Sequence, residues 1–246
     1  MGFKTVFSRY EYKYIITNDQ KQRILQAMAP YMQADRYGKS TIRNIYLDTP
    51  DYLLIRRSIE KPVYKEKLRI RSYTQADDTS TVFAELKKKV HSVVYKRRLA
   101  LPQNEAMDWL TKGIPPKNQS QIYRELEYAR QLYTPLQPSV FLSYQREAFF
   151  HKENPDFRIT FDENILFRQN RLSLTEEIGG QGVLEQDKIV MEIKCAGGIP
   201  LWMVHTLSAE KLYKTSFSKY GTAYRDYIFP QQEVHYDFST IVSRAV

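Results

Sequence analysis

The chain has 246 residues, is 42% hydrophobic and 26% charged, and carries a formal net charge of +9. That length suits one large domain or two small ones with a real apolar core, and the 19 tyrosines against 9 glycines argue for strands over long disorder. The basic excess favours a polyanionic partner: nucleic acid, an anionic membrane, or a phosphate-rich small molecule.

One cysteine, Cys195, rules out a disulfide within the chain and fits a reducing compartment. The opening MGFKTVFSRYEYKYII lacks the apolar run of a signal peptide, and Val6 stands where myristoylation wants Ser or Thr. No stretch approaches the roughly 18 apolar residues of a membrane span. The expectation is a soluble, cytoplasmic protein that can still sit at a membrane through a protein partner.

The first predicted strand runs from Ser8 to Ile16, with Arg9, Glu11 and Lys13 on one face and Tyr10, Tyr12 and Tyr14 on the other. Asn18 reads as the N-cap of a helix carrying Ile24, Leu25 and Met28. A second strand spans Thr41 to Thr49, and a short helix is expected after Pro50. The third strand, KEKLRIRSY, alternates Lys67, Arg69 and Arg71 with Leu68, Ile70 and Ser72. The fourth, TVFAELKKKV, and the fifth, SVVYKRRLAL, are joined through VHS and read as a hairpin. Glu85, Lys87 and Lys89 share one face of the fourth strand, and Lys96 and Arg98 one face of the fifth.

Two helices follow. One is capped by Asn104 and ended by Gly113, and the other runs from about Asn118 to Tyr133 with an apolar stripe of Ile122, Leu126, Ala129 and Leu132. Strands resume with SVFLSYQREAFFHK and DFRITFDENILF; the first sets Tyr144 and Arg146 opposite Gln145 and Glu147, and the second sets Arg158, Thr160 and Asp162 opposite Phe157, Ile159 and Phe161. Residues 169–187, with Gly179, Gly180 and Gly182, read as a mobile loop or flap. The eighth strand, DKIVMEIKC, sets Glu192 and Lys194 opposite Ile189, Met191 and Ile193, and a helix starts near Pro200.

No linker or internal repeat divides the chain, so residues 1–246 are expected to form a single domain. Eight mostly antiparallel strands with helices between them predict an α+β fold, a closed eight-stranded antiparallel β-barrel with helices packed outside. If the apolar faces pack outward under helices, the charged faces point inward. A lumen of Arg and Lys with occasional Glu suits a phosphate chain and a divalent metal. Arg grips phosphate oxygens in forked pairs, Lys supplies point charge, and carboxylates hold Mg²⁺ or Mn²⁺. The bland alternative is a set of cross-strand salt bridges and solvated charges. The histidines, His91, His151, His205 and His235, lack zinc-ligand spacing, and no GxxxxGK[ST] loop is present.

RYEYKY, LRIRSY, the AELKKK and VYKRR hairpin, YQREAF, FRITFD, VMEIK and FSKYG occur in an order that resembles the VTC-type domain. This is the polyphosphate polymerase branch of the CYTH-like triphosphate tunnel metalloenzymes. The resemblance covers about residues 8–226, with a polar tail beyond. It implies an eight-stranded tunnel in which the γ-phosphate of ATP passes to a growing inorganic polyphosphate chain, with Mn²⁺ or Mg²⁺ as cofactor. Carried over by motif, Arg69 and Arg71 grip phosphates, and Lys13, Lys87, Lys96, Arg146 and Arg158 line the tunnel. Ser218 and Lys219 reach the phosphate chain near one mouth. Glu192 is the first metal ligand, with Glu11 and Glu85 behind it. The implied partners are ATP, polyphosphate and a membrane protein that takes up the product.

No nucleic-acid partner is expected, because the tyrosines mostly alternate away from the cations instead of offering stacking platforms. Two other functions stay open at this point. Water can replace polyphosphate as acceptor, giving a tripolyphosphatase or nucleoside triphosphatase, or the tunnel can bind polyphosphate without turnover.

Overall fold

The computed structural model describes residues 10–91, 93–117 and 119–234. Arg9, the start of the first predicted strand, Asn118 and His235 lie outside these residues. The chain opens with β1 (Tyr10–Thr17), α1 (Asn18–Met28), β2 (Met32–Ala34), β3 (Ser40–Asp48) and α2 (Leu53–Ile59). It continues through β4 (Tyr64–Ser72), β5 (Thr81–Val90), β6 (Val93–Pro102), α3 (Gln103–Met107) and α4 (Gln121–Leu132). Then come β7 (Gln137–His151), β8 (Arg158–Arg168), β9 (Gln181–Gly182) and β10 (Lys188–Cys195). It closes with α5 (Leu201–Ala209), α6 (Lys219–Ala223) and α7 (Phe229–Val234). One π-helical turn, Asp108–Lys112, extends α3, and another, Tyr224–Ile228, joins α6 to α7.

The strands form one antiparallel sheet of ten, in the order β1-β10-β8-β7-β3-β4-β5-β6, with β2 beside β7 and β9 beside β8. This corrects the expected closed barrel of eight. Among the described residues β1 and β6 end the sheet and do not pair with each other. The sheet nevertheless curls until its ends approach, because Lys87 of β5 reaches Glu11 of β1 at 3.1 Å. Alternation dictates which face of each strand is buried, whereas closure depends on the curvature and stagger summed over every strand.

Apolar side chains pack on the convex side, as expected. Leu68 and Ile70 join Leu86, Leu99, Trp109, Tyr123 and Leu126 in a core beneath α3 and α4. Ile16, Phe161, Met191 and Ile193 pack beneath α1 and α5 with Ile24, Met28 and Met203. A third core has a different character. Phe217, Tyr220, Ala223, Tyr224 and Ile228 pack against Tyr46, Val140, Leu142, Tyr144 and Val190. By strand register Tyr46, Leu142 and Tyr144 share the concave face with Arg69, Arg71 and Arg146. The chain after residue 215 therefore fills part of the concavity. The sequence reading did not mark a helix there, although Tyr220, Ala223, Tyr224 and Ile228 recur at helical spacing behind a capping Ser218.

Several local expectations shift for identifiable reasons. Thr17, not Asn18, caps α1, because Thr17 and Gln20 form a reciprocal capping box. Pro102, not Asn104, precedes α3, with Asn104 inside it; Gly113 ends that segment at φ 77° as anticipated. In α4 the buried stripe is Tyr123, Leu126 and Ala129, and Leu132 is exposed at the helix end. The supposed flap is tied down: the Arg168 guanidinium donates to the carbonyls of Arg171, Glu177 and Gly179.

Candidate functional site

The concave face gathers side chains from every long strand. Cross-strand register sets Lys13 opposite Glu192, Glu192 opposite Thr160, and Asp162 opposite Arg146. On the other wall Arg69 lies opposite Glu85, Glu85 opposite Arg98, and Lys87 opposite both Lys67 and Lys96. The period-two alternation of each segment is what aims these groups inward.

Glu85 is the centre of one cluster. Its side chain is 1% exposed and meets Arg69 at 2.7 Å, Lys96 at 2.7 Å and Arg71 at 3.9 Å. Arg98 donates to it from Nε at 2.6 Å. Burial would raise the Glu85 pKa, but Arg69, Arg71 and Lys96 outweigh it and hold the carboxyl well below the usual range. Arg69 also donates to the Tyr46 hydroxyl, and Arg71 to Asn44 Oδ1 and the Tyr144 hydroxyl. Both guanidiniums are thus held in fixed orientations. Burial pushes Lys96 down to about 8 despite Glu85 beside it.

Asp162 anchors the second cluster. Arg146 donates to it through two parallel bonds of 2.6 and 2.7 Å, and Lys219 contacts it from the start of α6. Burial opposes the Asp162 charge, but Lys219 and Arg146 prevail and lower its pKa. Tyr144 lies beneath both cations; burial raises its pKa, but Arg146 and Arg71 bring it down to about 8.

A third group has little carboxylate. Lys67 donates to Ser218 Oγ at 2.9 Å, and Lys13 to the Phe217 carbonyl at 3.0 Å. Burial, then Lys13, Lys65, Lys87 and Arg69, push Lys67 down to about 7. Glu192, 7% exposed, pairs with Lys194 at 3.0 Å. Its own burial is outweighed by Lys194, Lys13 and Arg146, which hold it well below the usual range.

The structure brings most sequence-predicted residues to one face: Glu11, Lys13, Arg69, Arg71, Glu85, Lys87, Lys96, Arg146, Glu192, Ser218 and Lys219. Arg158 shares the face by register but is exposed at the start of β8, where it donates to the Pro155 carbonyl. Lys88 and Arg97 point away, to Glu66 and Glu125. The sequence reading placed Asp162 on the charged face and Tyr144 on the face of Arg146, both without a role, and missed Asn44 and Tyr46. The signal of Asn44 and Tyr46 was present, because they alternate on β3 beside LRIR, but Tyr on a strand more often means packing.

Among the described residues no three His, Cys, Asp or Glu side chains converge as a metal cage. Glu85 and Asp162 are saturated by cations. Glu11 and Glu192 each have a single lysine partner among the described residues, Lys87 and Lys194, and they lie diagonally across the β1–β10 pair; burial and Glu192 raise the Glu11 pKa, but Lys87 and Lys194 bring it below the ordinary value. Two carboxylates suffice for a Mg²⁺-like ion, which takes its other ligands from water and phosphate. The donor set fits such an ion.

The chain thus folds as a curled antiparallel sheet with helices outside and a basic concave face. A model of the VTC domain matches residues 8–227, and the chain belongs to that family. Among solved structures, a candidate adenylate cyclase from Bacillus halodurans is similar at 15% identity and a TM-score of 0.53, over 85% of this chain and 92% of that one. A candidate adenylyl cyclase from Hippeastrum, described as having a dominant triphosphatase activity, is similar at 15% identity and a TM-score of 0.55, over 88% and 94%. At these identities the likeness is one of fold. No curated protein matches the chain.

Proposed function

We propose that the protein is a metal-dependent phosphotransferase that moves the γ-phosphate of ATP onto inorganic polyphosphate. The observation that carries this is the fixed set of guanidiniums on the concave face, with Arg69, Arg71 and Arg146 each oriented by a buried partner. Carboxylates neutralise these cations when no substrate is present, and phosphate oxygens can take over the same donors. VTC membership supports the polyphosphate substrate.

Phosphoryl transfer asks for positioning and charge neutralisation more than for a protein nucleophile. A terminal phosphate oxygen of the acceptor is already anionic, so it attacks the γ-phosphorus without a strong base, and ADP leaves with the bridging oxygen. Arg69, Arg71 and Arg146 orient the triphosphate, while Lys13, Lys67, Lys87 and Lys219 offset the repulsion between two polyanions. Glu192, with Glu11, would hold the Mg²⁺ or Mn²⁺ that neutralises charge on the phosphates.

A second reading keeps the site and takes water as acceptor, supported by the triphosphatase activity named for the Hippeastrum protein. Incubation with ATP and Mn²⁺ or Mg²⁺, resolving ADP, free phosphate and long polyphosphate, separates the readings. ADP with long polyphosphate is expected. ADP with stoichiometric free phosphate would replace the polymerase by a hydrolase, and triphosphate binding without turnover would leave a binding module. Docking on a membrane protein that removes the chain belongs to the same proposal. No helix among the described residues is long and apolar enough to cross a membrane itself.

A further inference from the structure

Thr160 of β8 lies on the concave face, opposite Glu192 of β10 on one side and Ala148 of β7 on the other. The residue is 8% exposed, and its Oγ is buried without a hydrogen-bond partner. Buried hydroxyls are nearly always satisfied, and an unsatisfied one is destabilising. Packing gives no reason for the hydroxyl. Valine has the same branched shape, and Val190 occupies a neighbouring position of the same face.

The groups around Thr160 are already engaged. Glu192 pairs with Lys194, Asp162 with Arg146 and Lys219, and Lys13 with the Phe217 carbonyl. Ala148, the cross-strand neighbour of Thr160 on β7, carries only a methyl group. A phosphate oxygen there would stand against the Glu192 carboxylate and be repelled. A hydrated cation would be drawn to Glu192, and its waters would donate outward to an acceptor such as a threonine Oγ. Small divalent ions keep several waters, and outer partners of this kind tune the affinity of a metal site.

We propose that Thr160 is a positioning residue for a divalent cation held by Glu192, its hydroxyl accepting a hydrogen bond from a water on that cation. The proposal rests on the phosphotransferase reading of this site, and it predicts that the hydroxyl is kept for the ion at the expense of stability.

The test uses Mn²⁺ alone, without nucleotide, titrated by the paramagnetic resonance signal of the free ion. Thr160→Val should raise the Kd for Mn²⁺ by about tenfold, with a melting temperature equal to or above that of the unaltered protein. Thr160→Ser, which keeps the hydroxyl, should bind nearly as the unaltered protein does. If Thr160→Val fails to fold, Thr160→Ala carries the same expectation for Mn²⁺. Unchanged Mn²⁺ affinity in the Val or Ala variant overturns the proposal, as does an unaltered protein that binds no Mn²⁺. Failure of the wider reading looks different: Mn²⁺ binds and Thr160→Val weakens it, yet ATP yields neither ADP nor polyphosphate.

Discussion

Glu85 shows how one residue organises a wall of the site. Its buried carboxylate is surrounded by Arg69, Arg71, Lys96 and Arg98, and it offsets the repulsion among their charged ends. Glu85→Gln leaves these cations facing each other and should lower stability by about 3–5 kcal/mol, the cost of breaking a buried charge set. Urea unfolding reads this directly; a loss under about 1 kcal/mol would mean that the wall is solvated like a surface pair. Tripolyphosphate should restore much of the loss, because an anion that binds only the folded state stabilises it. Glu192→Gln should instead leave the fold intact and abolish turnover, and an active variant would remove Glu192 from the metal site.

The titrations at residue scale have opposite signs. Glu85, Asp162 and Glu192 are held below their ordinary values, so their contribution to stability is complete above about pH 4.3, the unfolded glutamate value. It is lost as pH falls through their lower folded values. Lys67 is pushed down to about 7, so the folded protein sheds that proton while the unfolded chain keeps it. Its contribution makes stability rise with pH from about 7 to about 10.4. Lys67→Met should flatten that rise in denaturation measurements across this window; an unchanged slope would place the origin elsewhere.

At the scale of elements, the strands were legible because alternation is written into each one. TVFAELKKKV coincides with β5, and the other long strands deviate by a few residues at most. Helix ends were less legible. Thr17 and Asn18 are both good caps, and only the reciprocal bond with Gln20 selects Thr17. The stretch from 169 to 187 looked free because it is glycine-bearing and polar. Nothing in its own composition reveals that Arg168 will hold three of its carbonyls. Within it Gly180 adopts φ +127°, and an added Cβ would stand 2.1 Å from the Phe167 carbonyl oxygen. Gly180→Ala should therefore break the pairing of β9 with β8 and expose the loop to limited proteolysis. A protease-resistant variant would show that the strand edge can shift.

For the whole molecule, the C-terminal segment is as much core as site. It supplies Ser218 and Lys219 to the charged face and Phe217, Tyr220, Tyr224 and Ile228 to the apolar packing beside it. Truncation before residue 215 should lower the melting temperature as well as remove activity; loss of activity alone would argue that the segment only visits the concavity. The basic face also makes a collective prediction. Affinity for tripolyphosphate should fall as salt rises, because salt screens the attraction between the cations of the concave face and the polyanion.

By itself the sequence determined the alternation of each strand, the basic face those strands present, the ordered motifs of the VTC family, and most of the charged residues that share the concave face. Each of these is a local or additive property, carried by spacing and side-chain chemistry. The tertiary structure alone decided the rest. Sheet curvature sets whether β1 and β6 meet, and it left them unpaired among the described residues. Long-range register decides which carboxylates meet which cations: Glu85 gathers four and Asp162 two, while Glu192 pairs with Lys194 and Glu11 with Lys87. Both depend on distances between strands far apart in the chain, and a periodic pattern carries no information about those distances.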